Sequence, residues 1–215
     1  MSSVLSLYSS GRTIGCVFDI GDGTTQCCPI WEGYAFPHAI NKINLAGKNI
    51  TSYLQKILLE KGYKFNTSAE FEIVKDIKEQ LCYVAIDYND EMKQSNQTTK
   101  IDKEYTLPDG QKIIINNERF RCTEILFHPE LIGFEQGMGI DKMLSKCINK
   151  CDIDIRLDLY KNIVLSGGTT MFEGLQKRLH YNLLNTIPDS LDVKVHAPFE
   201  RKYATWIGGS VLSSL

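Results

Sequence analysis

The chain has 215 residues, of which 24 are basic and 26 acidic, for a formal net charge of −2. The charges are dispersed, so no basic block points to nucleic acid or an anionic membrane surface, and no apolar run is long enough to cross a bilayer. A chain of this length buries roughly 70% of the surface its unfolded form exposes, enough for a sizeable core. Met1-Ser2-Ser3 lacks the charged head and apolar stretch of a secretory signal, so a cytosolic protein is expected. The seven cysteines, Cys16, Cys27, Cys28, Cys82, Cys122, Cys147 and Cys151, are an odd number without an export signal, which points to reduced thiols. Cys147 and Cys151 lie one helical turn apart, but no second Cys or His pair has the spacing of a zinc site, so no structural zinc is expected. The adjacent Cys27 and Cys28 would face opposite sides of a strand.

Residues 4–8 are apolar with one serine, and Ser9-Ser10-Gly11-Arg12 reads as a turn. The apolar run 14–18 enters Asp19-Ile20-Gly21-Asp22-Gly23-Thr24-Thr25 and leaves through 26–30. Two β-rich runs around Gly-Asp-Gly predict a tight hairpin, because glycine tolerates the positive φ such a turn needs. Read functionally, its backbone N–H groups converge on an anion while Asp19 and Asp22 hold a hydrated Mg²⁺; an ordinary surface hairpin is the alternative. Residues 31–36 and 38–41 predict two further short extended pieces.

The period then changes. Ile50, Tyr53, Leu54, Ile57 and Leu58 predict a helix over 47–61, with Asn49 as its N-cap and Gly62 closing it. A second helix is expected from Ala69 to about Val84, with a charged face of the solvated kind; Lys78 and Glu79 on it are candidates to reach a ligand. Residues 87–99 are polar and read as a loop. A hairpin turns at Pro108-Asp109-Gly110. The block from Gly47 to about Phe134 reads as an insertion with its own small core, ending in the apolar loop 131–134, buried or a contact patch. Helical spacing returns at Ile140, Met143, Leu144, Cys147 and Ile148. A strand over 162–165 runs into Ser166-Gly167-Gly168-Thr169-Thr170, followed by a helix over 172–185. Strand, glycine pair and helix form a turn that brings an anionic or planar group against backbone, or else a plain βα turn. A strand over 193–196 and an apolar segment over 203–212 close the chain.

The order of Gly-rich hairpin, inserted block and Ser-Gly-Gly-Thr-Thr turn resembles the actin family. So do many matched strings: Glu32-Gly33-Tyr34-Ala35, Pro37-His38-Ala39-Ile40, Asp76-Ile77-Lys78-Glu79, Asn117-Glu118-Arg119-Phe120-Arg121-Cys122 and Glu200-Arg201-Lys202-Tyr203 through Trp206-Ile207-Gly208-Gly209-Ser210. The resemblance implies an α/β, actin-like ATPase fold and, within it, the second lobe only. Residues 1–45 and 135–215 would be subdomain 3 with the start of the return to subdomain 1, and 46–134 the inserted subdomain 4. In that fold ATP or ADP with Mg²⁺ lies between two lobes, gripped by two phosphate hairpins. Asp19 would then organise Mg²⁺ through water. Gly21, Asp22 and Gly23 would cradle phosphate, Gly47, Lys78 and Glu79 would meet the ribose and base region, and Gly168, Thr169, Met171, Phe172 and Lys202 would wall the adenine.

Departures from the family pattern bear on activity. Ile20 stands where a serine hydroxyl would meet phosphate, Gln26 where actins carry a histidine, Ser2 where a glutamine would position water, and Phe172 where a tyrosine is usual. One residue is added between Phe134 and Cys151. With one phosphate hairpin in the chain, the resemblance implies weak nucleotide binding, and the actin-type ATP hydrolysis it also implies is expected to be lost. Halving the roughly −12 kcal/mol of a nanomolar complex leaves a dissociation constant of about tens of micromolar at best. Actin or actin-binding proteins are the implied partners and the cytoplasmic cytoskeleton the implied location, with residues 152–155 and 131–133 as filament-contact surface. Val4, Leu5 and Leu7 and the run 206–212 are expected near a lobe junction and exposed. An autonomous ATPase or kinase, and a fragment without function, are the competing readings.

Overall fold

The structure is a computed structural model describing residues 2–134, 137–187 and 192–214. Helix α1 (Ser2–Ser9) leads into β1 (Gly15–Ile20), which pairs antiparallel with β2 (Thr25–Trp31) and parallel with β7 (Ile163–Ser166). Two short strands, β3 (Tyr34–Ala35) and β4 (Asn41–Ile43), pair with β2, and β8 (Val195–His196) pairs parallel with β7. The result is a mixed sheet in the order β3-β2-β1-β7-β8, with β4 also on β2.

Alternation along β1 divides this sheet into two unequal faces. Cys16, Phe18 and Ile20 point into the larger buried cluster, beneath α6 (Ile140–Asn149), α7 (Ile153–Lys161) and α8 (Leu175–Leu184). Val17 points the other way, into a small cluster with Leu7, Cys28, Ile30 and Val164. Cys27 and Cys28 accordingly fall in different clusters, as adjacent strand residues must. The small face is covered by α1, on whose other side α9 (Ala204–Ser213) packs; the two helices cross closely because Gly208 has no side chain: a Cβ there would lie 1.8 Å from the Leu5 carbonyl oxygen.

Between the two parts of this sheet run α2 (Gly47–Glu60), α3 (Ser68–Leu81), α4 (Tyr88–Gln97), the hairpin β5 (Lys103–Thr106) and β6 (Lys112–Ile115), and the short α5 (Glu118–Arg121). The inserted block was expected to have its own core. Instead, Ile50, Leu54, Val74, Ile77, Ile113 and Ile115 belong to the same buried cluster as Phe18, Leu144 and Leu179. The apolar stripes of α2 and α3 therefore join the sheet's core.

Four local expectations are corrected. The polar stretch expected as a loop contains α4, whose start is fixed by Asp87 accepting from the N–H groups of Asn89 and Asp90. Asn49 is not the N-cap of α2; Ala46 holds that position, and Asn49 Oδ1 accepts the Ala46 N–H at 3.0 Å from inside the first turn. The start of the chain is only partly uncovered, since Leu7 is fully buried, whereas Trp206 on α9 is 78% exposed. α3 begins at a capping box between Thr67 and Glu70, one residue before the expected start, and ends at Leu81. The boundary at residue 135 lies outside the described residues.

Candidate functional site

The turn between β1 and β2 is held from two sides. Gly21 N–H donates to the Thr24 carbonyl at 3.0 Å, closing the turn. The Gly21 carbonyl accepts from Gly47 N–H at 3.1 Å and from Thr169 Oγ1 at 2.7 Å, and the Asp22 carbonyl accepts from Lys48 N–H at 2.8 Å. The first N–H groups of α2 are thus spent on the hairpin. The N–H groups of Asp22, Gly23 and Thr24 donate to no described backbone carbonyl, which leaves them available to an anion.

Gly47 makes this convergence possible. A Cβ there would lie 2.7 Å from Thr169 Oγ1 and 3.1 Å from an Asp22 carboxylate oxygen, so only glycine lets hairpin, helix and second turn meet. Gly47 is buried beneath the wall and acts as a spacer. Lys78 is also drawn inward: its ammonium donates to Thr51 Oγ1 at 3.0 Å and to the Gly47 carbonyl at 3.3 Å. Burial lowers its pKa, against the opposing pull of Asp22 and Glu79.

The second turn follows β7. Gly167, at φ +93°, passes so close to β1 that a Cβ would meet the Ile20 carbonyl at 2.4 Å and an Asp19 carboxylate oxygen at 2.6 Å. Beyond it, Gly168–Met171 form a 3-10 turn and α8 starts only at Leu175, so the expected helix start at 172 is corrected. Arg201 locks the turn, its guanidinium donating to the Thr170 carbonyl at 3.2 Å.

Hairpin, α3 and this turn border an open cavity of about 790 Å³, within the range of small-molecule sites. Eight of the twelve expected residues line it: Asp22, Lys78, Glu79, Gly168, Thr169, Met171, Phe172 and Lys202. Asp19, Gly21, Gly23 and Gly47 stand behind or beside that wall. Lys75, Gln80, Cys82, Glu173 and Tyr203 also line it and were missed. Lys75 lies one turn before Lys78 and Glu79 on α3, a spacing that places it on their face. Tyr203 follows Lys202, whose ammonium sits 5.8 Å from its ring centroid.

Asp19 lies opposite Ser166 in the parallel pairing. Burial raises its pKa, with the Ser166 hydroxyl acting the other way. A half-buried carboxylate without a cation beside it is costly in its charged form. Together with Asp22 it offers hard oxygen donors, which fits hydrated Mg²⁺ better than a soft metal. Ser166 Oγ is 3.1 Å from Ser6 Oγ, which is 2.8 Å from Thr205 Oγ1. This chain of hydroxyls ties Ser166, the strand partner of Asp19, to α1 and α9.

The side chain of Ile20 is fully buried in the larger cluster and presents nothing polar to the turn. Gln26 stands opposite Asp19 in the β1–β2 register. Ser2 is the exposed first residue of α1.

The resemblance implied an α/β chain, and the structure is one, with a mixed sheet and two turns meeting beside an open cavity. The family model described as Actin matches residues 1–215, and the chain belongs to the actin family. That family generally binds ATP or ADP with Mg²⁺. No described helix is long and apolar enough to cross a membrane.

Proposed function

We propose that this chain is an actin-like cytoskeletal protein that carries one wall of an ATP–Mg²⁺ cleft and works in the cytoplasm with actin or actin-binding proteins. The observation that carries the reading is the convergence of the Gly21–Gly23 turn, the buried Gly47 and the Gly168–Thr169 turn on one cavity. In this reading the architecture corresponds to the second lobe of the family fold, with 1–45 and 135–215 as subdomain 3 and the start of the return, and 46–134 as subdomain 4.

Residue roles follow from position. The free N–H groups of Asp22, Gly23 and Thr24 take phosphate oxygens, with Gly21 shaping the turn. Asp19 orients Mg²⁺ through water; the ion, when bound, neutralises phosphate charge. Gly47 keeps hairpin and adenine wall in register, Lys78 and Glu79 border the ribose and base side, and Gly168, Thr169, Met171, Phe172 and Lys202 receive the base. The described residues supply one wall, so phosphate remains open to water and preorganisation is low. Hydrolysis is lost in this reading, because Ile20 and Gln26 bring neither the hydroxyl nor the imidazole of the family pattern.

Calorimetric titration with Mg–ATP tests the cleft. Binding with a dissociation constant of about tens of micromolar or weaker is expected, and absence of heat at millimolar nucleotide would remove it. Phosphate release above background would favour the autonomous ATPase reading. Co-sedimentation with actin filaments tests the partner. The exposed Ile153 on α7 and Leu131 beside the left-handed Gly133 provide apolar surface for it, and failure to pellet above an actin-free control would overturn that part.

A further inference from the structure

Beneath α6, three thiols meet that the cleft does not use. Cys16 comes from β1, Cys27 from β2 and Cys147 from α6, and all three are fully buried. Their sulfurs lie within 4.8 Å of one another, with Cys16 Sγ and Cys27 Sγ 3.2 Å apart. Sequence spacing directed attention to Cys151 as the neighbour of Cys147, but the sulfurs that meet Cys147 come from the strands. In register, Cys16 faces Pro29 and Cys27 faces Phe18, so the two are diagonal neighbours on one side of the sheet. Diagonal Cα atoms are about 7–8 Å apart, beyond the roughly 4.4–6.8 Å usual for a disulfide. The pair is better placed to share a third atom than to bond directly.

We propose that Cys16, Cys27 and Cys147 form a three-coordinate thiolate site for one soft metal ion, monovalent copper being the best fit. A metal–thiolate bond of about 2.3 Å places three sulfurs of a trigonal plane about 4.0 Å apart, inside the span of this cluster. Soft sulfur donors select Cu(I), zinc or iron–sulfur clusters. Structural zinc asks for four ligands, and among the described residues no fourth Cys, His, Asp or Glu joins the group. Monovalent copper is satisfied with three. On loading, three Cu–S bonds replace three S–H bonds, three protons leave to solvent and copper stays monovalent.

Around the trio, Lys150 at the end of α6 donates to Asn41 Oδ1 in β4 at 2.7 Å, tying the helix that carries Cys147 to the strand position opposite Cys27. Such outer contacts orient metal ligands. Buried cysteines ordinarily pack as small apolar groups. Cys82 and Cys122, 3.5 Å apart, form a buried thiol pair of that kind. The trio differs in drawing its third sulfur from another element, α6. Because the site is closed, loading requires α6 to lift from the sheet, so slow binding is expected.

The test is anaerobic titration of the reduced, intact chain with Cu(I), in competition with a chromophoric chelator. One copper per chain, a near-ultraviolet thiolate-to-copper band and three sulfurs by X-ray absorption are expected. Cys147→Ala should weaken binding at least about tenfold, whereas Cys151→Ala, just beyond the same helix, should leave it unchanged. No binding, fewer than three sulfurs, or a band unaffected by Cys147→Ala would overturn the site. Two thiols missing from the metal-free protein, mapped to Cys16 and Cys27, would identify a disulfide and overturn it equally. If Cys147→Ala does not fold, the sulfur count on the unmutated chain decides.

Discussion

The two faces of the central sheet do different work. One presents Cys16, Phe18 and Ile20 to a large cluster that extends through α2, α3, α6 and α8. The other presents Val17 to a five-residue cluster under α1 and then, two residues further along the strand, Asp19 beside Ser166 and its chain of hydroxyls. Apolar burial scales with area removed from water, so the wide face supplies most of the stability. The narrow face accepts polar groups because it has less apolar contact to lose. The carboxylate proposed to organise the cation sits on that side.

Substitutions on the two faces sharpen this contrast. Phe18→Ala, on the wide face, is expected to cost about 3–5 kcal/mol in urea-induced unfolding. Leu7→Ala, on the narrow one, should fall near the low end of the roughly 2–5 kcal/mol for such truncations, because α1 and α9 relax together. Equal costs would break the division of labour. Gly47→Ala, where the two turns converge, should cost about 1–3 kcal/mol through overpacking against Thr169 and Asp22, with a matching loss of any Mg–ATP affinity. Unchanged stability would mean that the hairpin moves aside freely.

The smallest expected effect is a pH-dependent one. Burial raises the Asp19 pKa, so the unfolded state releases this proton at lower pH than the folded state does. The contribution of Asp19 to stability is fully present below the unfolded carboxylate range, near pH 4, and is lost as pH rises through the raised folded value. Asp19→Asn should therefore stabilise the chain at neutral pH, with the gain disappearing below about pH 4, and should abolish any Mg²⁺ dependence of nucleotide binding. Denaturation midpoints that shift equally at pH 3 and pH 7 would contradict this.

Periodicity and turn chemistry made the strands and most helices legible, since Gly21 and Gly23 mark a tight turn and the α2 and α3 stripes repeat at helical spacing. α4 was illegible because Tyr88–Gln97 carries no apolar stripe, and a capping Asp87 alone does not separate a helix from a loop. Motif resemblance found the cleft residues but not their depth. Gly47 looks like a lining residue in sequence, and only packing shows it as a spacer and shows that Lys78, which does line the cavity, has its ammonium bound to α2. The thiol cluster was hidden for a different reason. Cys16, Cys27 and Cys147 are joined by strand register and by the docking of α6, neither of which is written in local spacing.

The crossing of α1 and α9 at Gly208 joins segments separated by nearly the whole chain: Ser6 and Thr205, in hydrogen-bond contact, are 199 positions apart. Contacts of such long range are entropically late to form, because the intervening loop must first be closed. The wide-face core can assemble without them. The helix pair is then expected to dock late in folding and to fray early from the native state, and each time it opens, the Ser166 hydroxyl beside Asp19 loses its acceptor on Ser6.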